Sequence, residues 1–201
     1  MTAQTIVNVG YRSTNFWVVS VGRSRLLVDL GWPGLGAELL HNLERAGIPL
    51  AEIRYGFATH YHIDHAGAAQ DLKVRGMTLL VWEPQVAAIA AMKQHIKPTD
   101  HYTEIVPQGN VVKRCDESRR LLAELGIAGE VVPTPGHSDD SVSLVLDSGE
   151  CFTGDLTMET MVGEEDPRVV AGSWARLRGL GGRMVYGGHA KPYPMPVALS
   201  R

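Results

Sequence analysis

Cysteine is almost absent from this chain: Cys115 and Cys151 are the two thiols in 201 residues. Two distant thiols cannot make a disulfide framework, nor the Cys-rich closed shell that structural zinc sites favour. No apolar run is long enough to span a bilayer. The opening residues Met1-Thr2-Ala3-Gln4-Thr5 lack the basic start and apolar stretch of a secretory signal. A cytoplasmic protein with no membrane partner is the default expectation. Excess charge is missing too, since a formal net charge of −3 gives no pull toward polyanions. Lys113, Arg114, Arg119 and Arg120 form one small basic cluster, and Arg176, Arg178 and Arg183 another. Both read as solvated faces, so no nucleic-acid partner is expected. No internal repeat, low-complexity tract or linker divides the chain. With 44% apolar and 20% charged residues, ordinary values for a globular protein, one domain over residues 1–201 with a sizeable core is expected.

What the chain does have is His60-Tyr61-His62-Ile63-Asp64-His65. These are four metal-ligand side chains in six positions. Imidazole nitrogens and carboxylate oxygens are donors that zinc and related divalent ions prefer. Side chains on alternate residues of an extended segment share a face, so His60 and His62 can grip one ion together. Asp64 and His65, past a bend where a helix is expected to begin, point elsewhere and can serve a second ion. A solvated polar loop is the competing reading, but 8 His in 201 residues rarely give this spacing by chance. Tyr61, between two ligands, is expected to face the other way and pack inward.

The surrounding pattern delivers that run to the end of a strand. Residues 5–9 and 16–21 read as paired strands joined by a polar turn at Arg12 to Asn15, and residues 25–29 as a third strand. Leu35, Leu39, Leu40 and Leu43 recur at helical spacing until Gly47. A buried strand is expected over 54–59, a helix over 64–74, a strand over 77–82 and a helix over 84–96, with Met92 and Trp82 in the core. Residues 97–109 carry two Pro and read as a loop. A helix over 116–125 leads to a strand over 130–133. Val142, Leu144 and Leu146 then alternate with Ser141, Ser143 and Val145, as in a strand with one buried face. A strand over 151–153, a helix over 167–180 and a strand over 183–186 complete the order. Two batches of strands with helices outside suggest two packed sheets flanked by helices.

Three more positions share one placement, a polar side chain beside Gly just after a strand: His137 in Thr134-Pro135-Gly136-His137-Ser138, Asp155 in Thr153-Gly154-Asp155, and His189 in Gly187-Gly188-His189. Gly at such points lets the backbone turn sharply and bring a side chain to the rim of a sheet. Each alone is weak. In this order, with the 60–65 run and with Asp29 ending a strand, they resemble the metallo-β-lactamase superfamily over nearly the whole chain. The resemblance implies an αββα sandwich, two mixed β-sheets packed face to face with helices on both outer faces. It implies that His60, His62 and His137 hold one ion, that Asp64, His65 and His189 hold a second, and that Asp155 bridges them. Asp29 would accept a hydrogen bond from a ligand imidazole and fix its orientation. Two divalent ions, zinc first with iron or manganese as alternatives, would provide a shared hydroxide for hydrolysis. Asp64 and Asp155 are then the catalytic carboxylates, Asp64 carrying a proton to the leaving group, and no Ser or Cys nucleophile is needed.

Departures within that family narrow the reaction. Flavodiiron relatives carry Glu where His62 stands, and Cys-ligand lactamases carry Cys where Asp155 stands. Ribonuclease Z-like enzymes have a long RNA-gripping arm that is not seen here. Glyoxalase II-like thioesterases and acyl-homoserine lactonases share the full ligand set. Yet only twelve residues follow His189, Ala68 replaces a common Gly, and residues 138–141 read Ser-Asp-Asp-Ser. A small-molecule ester, thioester or lactone is therefore the expected substrate, rather than a glutathione thioester. Alternatives are a mononuclear-iron sulfur dioxygenase, a phosphodiesterase of the same fold, and a non-catalytic regulatory member. Tyr11 to Phe16, Trp32-Pro33, the 93–104 loop with His95, His101 and Tyr102, and Met158 to Met161 are candidate rim segments that would suit an apolar or acyl substrate. His95 and His101 read as ordinary loop residues.

Overall fold

Alternate residues of the central strands send their side chains into two different apolar layers, and this is why the molecule has four layers rather than two. The structure, a computed structural model, describes residues 4–198. The first three residues of the start read above for a leader lie outside them. One sheet contains β1 (Gln4–Asn8), β2 (Trp17–Val21), β3 (Ser24–Val28) and β4 (Ile53–Phe57), antiparallel except for the parallel β3–β4 pair. A short parallel pair, β5 (Leu80–Trp82) and β6 (Val111–Lys113), continues it beyond β4 through the Gly56 N–H donating to Thr78 O at 3.0 Å. The second sheet contains β7 (Gly129–Pro133), β8 (Val142–Leu146), β9 (Glu150–Gly154), β10 (Met184–Gly187) and β11 (Tyr193–Pro194) in that spatial order, with β9–β10 parallel.

Between the sheets lie Trp17, Val19, Leu26, Val28, Phe57, Val142, Leu144, Leu146 and Phe152. Their strand neighbours point outward. Val18 and Leu27 pack under α1 (Gly36–Arg45), α2 (Ile63–Ala66) and α3 (Ala69–Val74), against Leu39, Leu43, Ala66, Ala69 and Leu72. The short helices α4 (Val86–Met92) and α5 (Ser118–Glu124) follow β5 and β6. On the far side Val145, Cys151 and Val185 pack under α6 (Pro167–Gly179), against Val170, Trp174 and Leu177. This is the expected αββα sandwich. Phe152 sits at its centre, with Trp17 and Tyr186 ring centroids 6.2 and 5.1 Å away. Each such fully buried side chain contributes about 1.5–3 kcal/mol.

Several elements differ from their sequence expectation for identifiable reasons. β8 is buried on both faces, because α6 covers the second, and Ser143 tolerates this through a 2.7 Å hydrogen bond with the Thr134 hydroxyl. The helix expected over 64–74 is two helices. It breaks at Gly67-Ala68, where the Ala68 N–H donates to Gly31 O at 3.1 Å instead of continuing the helical ladder. The helix expected over 84–96 is regular only over Val86–Met92, with 3₁₀ turns on both sides. Its apolar stripe lines an open hollow of about 430 Å³, so Val86 is half exposed. β6 and β11 were not expected, being three and two residues long. α6 starts as its sequence suggests: Asp166 accepts from the Arg168 N–H at 2.8 Å, and Pro167 occupies the first turn, where its missing N–H costs nothing. Met92, Trp82 and Tyr61 are all buried. Among the described residues, no helix is long and apolar enough to cross a membrane.

Candidate metal centre

The strand directions bring the polar run and the Gly-flanked residues to one edge. Because β3–β4 and β9–β10 are parallel pairs, the carboxyl ends of each pair emerge side by side. Asp29 follows β3, residues 58–62 follow β4, Asp155 follows β9 and His189 lies two residues past β10. His137 lies in the loop between β7 and β8. Hydrogen bonds across the sandwich close this edge, from the Val142 N–H to Thr59 O at 2.8 Å and from the Asn15 N–H to Gly188 O at 2.6 Å.

All seven sequence-nominated ligands meet there, in two clusters. One ligand atom each from His60, His62 and His137 lie within 4.8 Å of one another, and so do those of Asp64, His65, Asp155 and His189. His62 Nδ1 faces His137 Nε2 at 3.0 Å. In the second cluster His65 Nε2 lies 3.4 Å from Asp64 Oδ2 and 3.3 Å from Asp155 Oδ2, while His189 Nε2 lies 3.3 and 3.0 Å from the same two oxygens. Asp155 Oδ2 is also 3.9 Å from His137 Nε2, so this carboxylate stands between the clusters. Three buried atoms aimed into the site, His60 Nε2, His65 Nε2 and Asp155 Oδ1, have no hydrogen-bond partner. Leaving buried polar atoms unpaired costs about 1–3 kcal/mol each, and divalent cations held by the two clusters would offset that cost. The donor set, imidazole and carboxylate without thiolate, suits zinc, iron or manganese.

A second tier of contacts fixes these rings. Asp29, which holds a left-handed φ of 65°, accepts from the Thr59 N–H at 2.7 Å, from the Thr59 hydroxyl at 2.9 Å and from His65 Nδ1 at 2.9 Å. Asp tolerates that backbone region better than most residues. The Thr59 hydroxyl has one proton, given to Asp29, so it must accept from His60 Nδ1–H at 3.1 Å. Both His60 and His65 are thereby held with Nδ1 protonated and Nε2 directed at the clusters. Asp29 thus reaches one ring directly and the other through Thr59. The Tyr61 N–H donates to Asp140 Oδ2 at 2.8 Å, and Gln85 Nε2 donates to Ala58 O at 2.8 Å, so both residues pin the segment bearing His60 and His62. Thr59, Gln85 and Asp140 were not singled out from sequence. Their partners lie 26–79 positions away, beyond any local spacing signal, apart from Thr59's place beside His60.

Charge is distributed unevenly. Burial, reinforced by the neighbouring His65, pushes His60 well below the ordinary imidazole range; burial and His137 lower His62 as well. These rings stay neutral and ready to ligate. Burial acts the same way on His65, but the carboxylates of Asp29, Asp155 and Asp64 outweigh it and raise this ring well above its usual value. Burial would raise Asp64 and Asp155, yet their contacts with His65 hold both at about 2. Two glycines make the close approach feasible. Gly154 has φ +53°, and a Cβ there would overlap the Thr59 hydroxyl; a Cβ on Gly188 would overlap Asp155 Oδ1.

The rim is narrower than the sequence suggested. Tyr11 and Phe16 are core residues, their ring centroids 5.0 Å apart. His95 and Met161 are exposed and Tyr102 is half-buried, its hydroxyl accepting from the Ile105 N–H. Trp32, with Arg12 stacked 5.4 Å from its ring centroid, borders a groove of about 190 Å³ that His101 and Ile63 also line. In the basic cluster, Lys113, Arg114 and Arg119 are ion-paired with Glu117, Asp116 and Glu130.

Comparison with known proteins supports the same fold and family. A sequence profile described as metallo-beta-lactamase superfamily matches residues 9–189. An atrochrysone carboxyl ACP thioesterase of Aspergillus fumigatus is 28% identical over 187 residues, covering 89% of this chain and 51% of that protein. The chain spans about half the length of that curated relative. Among solved structures, the BLEG-1 B3 metallo-beta-lactamase superposes with a TM-score of 0.72 at 19% identity, covering 96% of this chain and 94% of that one. TTHA1623, solved in a di-iron-bound form, gives a TM-score of 0.72 at 22% identity, covering 95% and 94%.

Proposed function

The chain belongs to the metallo-beta-lactamase superfamily, and from that premise we propose that it is a metal-dependent hydrolase of a small ester, thioester or lactone. The observation that carries this reading is the pair of clusters, four imidazole or carboxylate donors in one and three imidazoles in the other, with unpartnered buried nitrogens aimed between them. His60, His62 and His137 would hold one divalent ion, Asp64, His65 and His189 the second, and Asp155 both. Zinc is the first candidate, with iron close behind, since a relative of the same fold has a di-iron-bound form. Bound there, such ions supply Lewis acidity toward a carbonyl oxygen and activation of water near neutral pH.

The protein's own groups do the rest. Asp29 and Thr59 hold His60 and His65 in one tautomer, so no reorientation is needed on binding substrate. Asp64, kept ionised, accepts a proton as water adds to the carbonyl carbon, and returns it to the departing oxygen or sulfur as that bond breaks. Trp32, Leu35 and Ile63 offer an acyl or aromatic portion of substrate apolar contacts in a groove whose other side is polar, with Arg12, Asp100 and His101. The thioesterase name of the fungal relative supports placing acyl thioesters first among substrates.

A panel of chromogenic thioesters, esters, lactones and phosphodiesters, run on metal-replete protein, tests the reading. Turnover of a carbonyl substrate is expected, lost in His62→Ala and Asp155→Ala while both variants stay folded. A single bound iron with oxygen uptake, or full turnover by either variant, would overturn it.

A further inference from the structure

Both clusters rest on the sandwich through Asp29, and the second on one further segment as well. The first rests on the sandwich itself, through Thr59, Asp29, Asp140 and Gln85. The second is held in addition by the connection between β1 and β2, whose residues 11–15 carry none of the seven ligands. Thr14, which is buried, donates its hydroxyl to Asp64 Oδ2 at 3.2 Å and accepts from Trp32 Nε1 at 3.1 Å. An indole N–H can only donate. The hydroxyl proton of Thr14 is therefore steered away from Trp32 and onto the carboxylate. One residue earlier, the Ser13 carbonyl accepts from His189 Nδ1 at 2.7 Å, which turns His189 Nε2 toward Asp64 and Asp155.

The segment is rigid enough to act as a template. A Tyr11–Thr14 bridge closes its turn. Asn15 ties it to the end of β10, its N–H donating to Gly188 O and its amide to Gly187 O and Ala190 O at 2.9 and 2.8 Å. Asn8 Nδ2 donates to Asn15 Oδ1 at 2.8 Å, and the Tyr11 hydroxyl accepts from the Trp32 N–H at 3.0 Å. Among the described residues, no hydrogen bond joins residues 11–15 to His60, His62 or His137.

We propose that residues 11–15 position the second cluster selectively: Thr14 orients Asp64 and Ser13 orients His189, so that this hairpin sets the affinity for the second ion independently of the first. The proposal rests on the two-ion reading above. It makes Thr14 and Trp32 positioning residues, neither a ligand, and it gives this chain a way to tune one site alone.

The test is a stepwise zinc titration of the full chain, stripped of metal and read against a chromophoric competing chelator. Wild-type protein should take up two ions in separable steps. The second step is the one that fills the Asp64–His65–His189 cluster, identified by the ¹⁵N ring shifts of His65 and His189, whichever cluster fills first. Thr14→Val should weaken it about 10- to 100-fold, the usual cost of losing an outer partner of a ligand, and leave the other unchanged. Thr14→Ser, which keeps the hydroxyl, should restore the second step, and Trp32→Phe should weaken it to a lesser degree. An unaltered second step in Thr14→Val, or equal weakening of both steps, would overturn the hairpin proposal while the two-ion reading stood. Wild-type protein that binds fewer than two ions would overturn both, before any variant is made. Should Thr14→Val fail to fold, Trp32→Phe carries the comparison, because it leaves the hydroxyl in place but unsteered: selective loss supports the proposal, and wild-type affinity at both steps overturns it.

Discussion

Replacing Asp29 by Asn isolates the electrostatic link between the fold and the second cluster. The side chain is 2% exposed and accepts from the Thr59 N–H, the Thr59 hydroxyl and His65 Nδ1, all within 2.7–2.9 Å. Asn is nearly the same shape and accepts the left-handed φ of 65° at least as readily, so the backbone should not move. Its one oxygen can keep both Thr59 contacts, which leaves the His60 tether in place. Its amide then faces His65 Nδ1, and two donors cannot face each other. His65, charged in the metal-free protein, must surrender the Nδ1 proton and keep the one on Nε2, the atom aimed at Asp64 and Asp155. A buried charge-assisted hydrogen bond is worth about 1.5–3 kcal/mol, and lost outer partners weaken metal sites about 10- to 100-fold. The expected result is a zinc affinity lower by that factor at the Asp64–His65–His189 cluster, an intact affinity at the other, and loss of the His65 Nδ1 proton visible by ¹⁵N ring NMR. Unchanged affinity with His65 still protonated at Nδ1 would refute the reasoning.

Four other outcomes follow from the structure. In metal-free protein His65 is held charged by Asp29, Asp155 and Asp64, whereas burial keeps His60 neutral; uptake of the second ion should therefore release about one proton from His65 and weaken as pH falls, and calorimetry in buffers of different ionisation enthalpy that found no release would contradict this. For metal-free stability, Asp64 and Asp155 contribute at pH values above their ordinary 3.8, and that contribution is lost as pH falls through about 2, so acid unfolding should shift upward in pH when either is replaced by Asn. Gly154→Ala should destabilise by more than the roughly 1–2 kcal/mol of a left-handed alanine, because its Cβ would also displace Thr59; a urea midpoint equal to wild type would count against the packing described. Phe152→Ala should cost about 3–5 kcal/mol without changing metal content, since Phe152 is buried between the sheets and touches no ligand cluster.

The parts of this structure that sequence made legible are those with a local signature. Alternation marked β8 as a strand, and Pro167 marked the start of α6, where Asp166 satisfies a helix-terminal N–H locally. The ligands were legible because Gly154, Gly188 and the 60–65 spacing all report on backbone at a strand end. The break between α2 and α3 was not, since it depends on Ala68 finding Gly31 across the fold. Thr14, Gln85 and Asp140 are ordinary polar residues in sequence, and become part of the site through partners 27–79 positions away. Tyr11 and Phe16 were placed on the rim because they flank a polar turn, but they turn inward to fill the layer beneath α1.

The central claim is that these seven side chains gather around a pair of cations. Anomalous diffraction at the absorption edge of the bound metal, from crystals of protein purified without chelator, measures this directly. The account predicts two peaks, one among His60, His62 and His137 and one among Asp64, His65 and His189, with Asp155 between them. No peak at either cluster, or metal bound elsewhere on the chain, would contradict it.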